Sequence, residues 1–302
     1  MNRPLLTLCA AVAALTLPLK GLATTQTETF LQLDACRHFV RLSDTTLLVG
    51  RDDGLSVIDP SGHSSVLKID HAVRDAVRVD DHIVALVDAD IVRVDLATGA
   101  VTNRVATQAV KPSRELLAHE MPRALARHGD ALLVAHGTLG VTILDPATLE
   151  LRSMIAINAG EKVKNMAQDL VVSGDQVFAL VDNYQINPVR PNLQFRGLLQ
   201  LDSTEGQISG RFGGLDPGAT AVAWHDDTLL VSFGGHPVWR LRTPLSAAVP
   251  LAKGSRLMTK LGSDRRIVGR FSLDDAHVWA CQRSNQGAAS VPVVFDRASL
   301  GL

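Results

Sequence analysis

An all-β fold is what this 302-residue sequence predicts, and three observations predict it. Short runs of Val, Leu and Ile alternate with tight turns built on Asp, Gly and Pro, as strands and hairpins do. An acidic turn followed by such a run recurs at Asp44, Asp81, Asp130, Asp175, Asp227 and Asp275, at steps of 37, 49, 45, 52 and 48 residues. A further run follows each, and in five of the six copies it ends in Asp, at Asp59, Asp95, Asp145, Asp202 and Asp296, with Arg242 in that place in the fifth. Repeats of this length are those of four-stranded units set around a common axis. Six such units predict a six-bladed β-propeller.

The elements follow in order. Asn2 and Arg3 precede an apolar run over residues 5–19 and then Gly21-Leu22-Ala23, the pattern of a secretory signal peptide cut after Ala23. The run has 15 residues, short of the roughly 20 that span a bilayer. Residues 1–23 are therefore read as the signal peptide and 24–302 as a single propeller domain, periplasmic or secreted. The third unit shows the pattern most plainly: residues 132–135, a Gly-bearing link, residues 141–144, a turn at Asp145-Pro146, and a last run over 149–157. Each unit also opens with its own apolar strand, such as residues 72–79.

The sixth unit ends six residues after Asp296 and has no room for a fourth strand. The alternating segment 27–33 lies before the first unit and is spare, so it is expected to supply that strand and close the ring, pairing an otherwise open edge. After processing, Cys36 and Cys281 remain, in a chain bound for an oxidising compartment. They are a candidate disulfide joining the first and last units.

Net charge is −1 and charged residues make up 20% of the chain. There is no basic field to hold nucleic acid. No Gly-x-Ser-x-Gly elbow and no phosphate-binding Gly-rich loop occurs, and nothing requires a cofactor. Long irregular links fall on one side of the repeats, at residues 102–122, 182–195, 251–265 and 282–289, whereas the acidic turns of the other side are tight. Elaborated loops on a rigid scaffold mark the face where function sits.

Aligning the units on their acidic turns brings Arg37, Arg74, Arg123, Gln168, Thr220 and Val268 into one row, seven residues before each anchor. The preceding residues are mostly apolar, and period-two alternation turns the two rows to opposite sides. The polar row is expected to line the mouth of the central channel. Converging guanidiniums grip a carboxylate or phosphate with paired donors, so Arg37, Arg74 and Arg123 are candidate charge anchors, with Gln168 and Thr220 as neutral hydrogen-bonding neighbours. Asp75 and Asp169 join them as candidate ligand-binding residues or as neutralising partners of the arginines. His38, His71, His119, His136 and His236 fall near the same face without any local metal-ligand spacing. No metal site is assigned.

The repeat resembles the YVTN-type propeller unit, in which a run like Leu47-Leu48-Val49 leads through a Gly-bearing link (Arg51-Asp52-Asp53-Gly54) to Leu55-Ser56-Val57-Ile58-Asp59 and a turn. The Trp-Asp signature of WD40 repeats is absent, since none of Trp224, Trp239 and Trp279 precedes an Asp. Members of the resembled family are often seven-bladed, which makes seven blades the alternative. They include binding proteins as well as enzymes. The sequence thus points to an exported propeller, a monomer or part of an envelope complex, binding a protein partner or a small anionic ligand on the channel face. A metal-assisted hydrolase or lactonase using His and Asp residues of that face is the alternative.

Overall fold

The computed structural model describes residues 27–28, 30–33, 36, 40–43, 46–106, 116–158, 165–183, 195–233, 238–241, 243–245, 251, 255–256, 265–284 and 290–302. The expected signal peptide, Arg37, His38, His236 and most of the long links lie outside these residues.

The described chain forms six antiparallel sheets. Sheet one holds β1 (Val40–Ser43), β2 (Thr46–Arg51), β3 (Gly54–Ile58) and β4 (Ser64–Lys68); sheet two holds β5 (Val73–Val79), β6 (His82–Val87), β7 (Asp90–Asp95) and β8 (Val101–Ala106). Sheet three is β9 (Ala124–His128), β10 (Ala131–Ala135), β11 (Val141–Leu144) and β12 (Leu151–Ile155). Sheet four is β13 (Asn165–Ser173), β14 (Gln176–Asn183), β15 (Gly197–Asp202) and β16 (Gln207–Gly213). Sheet five is β17 (Ala219–His225), β18 (Thr228–Phe233), β19 (Val238–Leu241) and β20 (Ser255–Arg256). Sheet six has three strands among the described residues, β21 (Arg265–Leu273), β22 (His277–Ser284) and β23 (Val291–Asp296), followed by the short helix α1 (Arg297–Leu300). Within each sheet the strands pair in chain order.

Local chemistry repeats from sheet to sheet. The Asp at the end of a third strand folds the turn beyond it: Asp59 accepts the Ser61 and His63 amides, Asp145 those of Ala147 and Thr148, and Asp202 those of Thr204 and Glu205. Such side-chain acceptors replace the ladder partners that the backbone loses at the strand end. In the acidic turns, the residue before the anchor takes a left-handed backbone, as at Asp80 (φ 54°) and Asp226 (φ 49°). A side chain two residues earlier ties down the turn's carbonyl, Arg78 on Asp80, Arg127 on Gly129 and Trp224 on Asp226. Gly54 and Gly140 open the third strands of sheets one and three, where an added Cβ would collide with the carbonyl of Leu67 or Ile155 in the fourth strand. Glycine is what lets the two outer strands pair there.

Alternation along the inner strands sends successive side chains to opposite neighbours. Leu132 and Val134 pack against sheet two, and Leu133 and Ala135 against sheet four. The same holds all round, so that six apolar clusters lie one between each consecutive pair of sheets. The last joins Trp279 and Cys281 of sheet six to Leu47, Val49 and Ile58 of sheet one. The first strands are also neighbours in a cycle, with β21 returning to β1. Each fully buried Leu or Val contributes on the order of 1.5 to 3 kcal/mol, and the cycle lets every sheet bury both faces.

The segment expected to close the ring as a strand is instead helical. Residues 27–28 and 30–31 are helical, the Gln32 amide bonds to the Glu28 carbonyl, and that of Leu33 bonds to the Phe30 carbonyl. Phe30 and Leu33 are three residues apart and share one helical face. Phe30 is fully buried and meets Trp279 edge-on, with ring centroids 5.5 Å apart, while Leu31 is exposed. An alternating strand would have set Phe30 and Leu33 on opposite sides. The join between sheets one and six is made by this packing and by a Cys36–Cys281 disulfide, with Cα atoms 5.4 Å apart.

Candidate functional site: the axial mouth

Innermost strands carry the same irregularity at the same place. Pairing in sheet two runs from Val73 with Val87 to Asp75 with Leu86, leaving Arg74 as the extra residue. Gln168 is the extra residue between Ala167 and Asp169, and Thr220 between Ala219 and Ala221. In sheet three Arg123 directs its amide to the Ala135 carbonyl, the residue that already faces Ala124. Arg74, Gln168 and Thr220 are thus β-bulge residues, and Arg123 stands at the matching place just before its strand; a bulge turns a side chain out of the regular alternation and often stands beside a binding site. Period two alone does not place the polar row; the bulge does.

Arg74, Arg123, Gln168 and Thr220 line one cavity of about 480 Å³ together with Ala118, Met121, Pro122 and Gly269. Sheets two to six all contribute, so the cavity lies on the axis of the ring. Arg74 is exposed and Arg123 half-buried. Arg123 reaches Gln168 Oε1 at 3.2 Å and Met166 Sδ at 3.7 Å, and its Nε has no hydrogen-bond partner. Among the described residues no carboxylate pairs with Arg74 or Arg123. Burial and the adjacent Arg74 charge push the Arg123 guanidinium below its ordinary value. The mouth therefore holds two cations, spare donors and few free acceptors.

Asp75 and Asp169 do not line this cavity. Both are fully buried, one residue beyond the bulges, and both pair with Arg270 of β21. Arg270 bonds Asp75 Oδ2, reaches Asp169 Oδ1 at 2.9 Å, and donates to the carbonyls of Leu125 at 2.7 Å and Leu170 at 2.6 Å. Each Asp also accepts the next amide of its own strand and one from the following sheet: Asp75 from Ala76 and Leu125, Asp169 from Leu170 and Val222. One buried hub thus ties five inner strands, β5, β9, β13, β17 and β21. Burial pushes the Asp169 carboxyl up to about 6, against the pull of Arg270 and with a push from Asp75. For Arg270, burial works against the charge, but the two carboxylates outweigh it and hold the guanidinium above its ordinary value.

Sequence reasoning missed Arg270. Alignment on Asp275 placed Val268 in the row, because the sixth inner strand carries a longer irregularity, with pairing resuming only at Ser272. An Arg between the apolar Ile267-Val268 and Phe271 of that strand was the available signal.

The described histidines of this face do not gather. His71 is exposed and 3.2 Å from Asp88, His119 lies in the link before Arg123, and His136 is wholly buried with neither ring nitrogen bonded. A set with metal-ligand chemistry, His225, Asp226 and Asp275, sits at the tight turns of the opposite side and is largely exposed.

No protein-family model matches the sequence, and no curated protein matches it. Solved structures do. The chain is similar to the Neurospora crassa Pan2 WD40 domain, at 12% identity and a TM-score of 0.50 over 85% of this chain and 74% of that one. The fold is a β-propeller. It is also similar, at 14% identity and a TM-score of 0.52, to the extracellular domain assigned to a one-component system of B. thetaiotaomicron, over 85% of this chain but only 32% of that one. At such identities the likeness is one of fold. The propeller's axial mouth is the cavity described above, and no helix among the described residues is long and apolar enough to cross a membrane.

Proposed function

We propose that the protein is an exported, six-bladed propeller of YVTN-type repeats that binds a protein partner or a small anionic ligand at its axial mouth and catalyses no reaction. One observation supports this reading most: residues from four different repeats, Arg74, Arg123, Gln168 and Thr220, line a single cavity. The two arginines have no carboxylate partner among the described residues, because Asp75 and Asp169 are engaged by Arg270. An incoming carboxylate or phosphate supplies the acceptors that the mouth lacks. Arg37, by its place in the row, is the third anchor of this proposal. The disulfide between Cys36 and Cys281 suits the oxidising compartment to which the signal peptide directs the chain.

The test is calorimetric titration with phosphate and simple carboxylates, comparing the native protein with an Arg74→Ala, Arg123→Ala double variant. Binding is expected to disappear in the double variant with little change in the thermal midpoint, since Arg74 is exposed and neither arginine belongs to the hub. Unaltered binding by the folded double variant would sink the proposal. Stoichiometric zinc on protein purified from its own periplasm would favour a hydrolase instead, and mature protein not beginning at Thr24 would contradict the processing.

A further inference from the structure

Resting on the reading of the mouth as an anion site, we propose that its ligand is an organic anion, an oxyanion head joined to an apolar body, and not a bare inorganic ion. The lining has two unlike halves. Arg74, Gln168 and Thr220 arrive from the bulges of sheets two, four and five and Arg123 from the matching place before the first strand of sheet three, whereas Met121 and Pro122 come from the link that enters sheet three. Pro122 is buried and Met121 half-buried, and Leu117 in the same link is 48% exposed. A thioether and a pyrrolidine ring offer an oxyanion nothing, but they pack well against methylene groups.

Size points the same way. A cavity of about 480 Å³ lies within the range of roughly 300 to 1,000 Å³ of pockets that hold organic ligands, with a few placed polar groups and an apolar remainder. A lone phosphate or acetate would fill the cationic half and leave water against Met121 and Pro122. A head with a short aliphatic or peptide body fills both. The hub beneath limits depth: Arg270, Asp75 and Asp169 satisfy one another, so the head stops at the arginines and the body lies toward the link.

The experiment compares acetate, hexanoate, inorganic phosphate, hexyl phosphate and hexylammonium by titration followed by NMR or calorimetry. A capped apolar tripeptide with a free C-terminal carboxylate, and its amide, test a chain end as the source of the same chemistry. Each methylene removed from water is worth about fourfold, so hexanoate and hexyl phosphate are expected to bind at least about tenfold more tightly than acetate and phosphate. That gain shrinks in Met121→Ser, and all binding is lost in the double arginine variant. Arg74→Ala alone provides a milder variant should the double one fold poorly. Compact anions binding as well as their alkyl forms would overturn this inference and leave the anion site standing. Equal binding of hexylammonium, alkyl anions held unchanged by the arginine variants, or no binding by any of them, would overturn both.

Discussion

At His136 a single residue and its surroundings are in conflict. The imidazole is fully buried, neither nitrogen finds a hydrogen bond, and burial pushes its pKa down to about 4. It is neutral in the folded protein and protonates freely in the unfolded chain near pH 6.5. A folded pKa below the unfolded one means stability that is present above about pH 6.5 and lost as the pH falls toward 4, by roughly 3 kcal/mol if the shift is fully expressed. His136→Leu removes both the unsatisfied nitrogens and this proton uptake. It is expected to unfold at an equal or higher urea midpoint at pH 7 and to lose less stability between pH 6.5 and 4.5. A variant as pH-sensitive as the native protein would refute the assignment. Thr142 Oγ1, in the neighbouring strand, is likewise buried and unbonded.

Among elements, the bulged inner strand decides which side chains face the axial mouth and which enter the buried hub. The extra residue of each bulge faces the mouth, while the next residue, Asp75 or Asp169, goes to the hub. A buried ion group is a weak source of stability when whole but a costly one to break. Arg270→Met leaves two buried carboxylates without their cation, and a loss of about 3 to 5 kcal/mol is expected. Arg270→Lys is expected to recover little of it, because a single ammonium cannot reproduce a fork that bonds two carboxylates and two carbonyls on three strands. Urea unfolding of the two variants checks this; a lysine variant of native stability would show that charge alone suffices. The repeated Asp turns and the Gly-bearing links are element-scale features already visible in the sequence, whereas the close approach of the fourth strand at Gly54 and Gly140 is seen only in the structure.

For the whole molecule, the critical join is the one between the first and last sheets. Every other sheet pair is joined by continuous chain, whereas sheets six and one meet, among the described residues, through their apolar cluster, Phe30 against Trp279, the Cys36 amide on the Ser290 carbonyl, and the Cys36–Cys281 disulfide across 245 residues. On the chain-entropy argument a loop of that length contributes about 5 to 6 kcal/mol. Cys281→Ser, or full reduction, is expected to lower the unfolding midpoint accordingly, with sheet-six amides exchanging first. Equal stability of oxidised and reduced protein would show that packing alone holds the ring.

Much of this was legible beforehand, for a specific reason. A repeat writes the same offset several times, so the apolar runs, the Asp turns and the row Arg74, Arg123, Gln168 and Thr220 stood out against unrelated residues. Where the repeat breaks, legibility ends. Arg270 fell out of register because its strand carries a longer irregularity, and Arg37 lies outside the described residues. Residues 27–33 alternate well enough for a strand, yet Phe30 and Leu33 also match one helical face, and seven residues cannot decide between them.

The sequence by itself determined the six repeated units, their turns, the candidate cysteine pair and the aligned row Arg74, Arg123, Gln168 and Thr220, because each follows from local periodicity or from one residue type at a fixed spacing. Only the tertiary structure decided that Asp75 and Asp169 turn inward to Arg270 rather than outward to a ligand, and that the N-terminal segment packs as a helix. Both depend on which buried partner the fold brings near from about 100 to 250 residues away in sequence, and desolvation settles them: a carboxylate goes to the cation that is buried with it, and Phe30 goes to the indole that covers it.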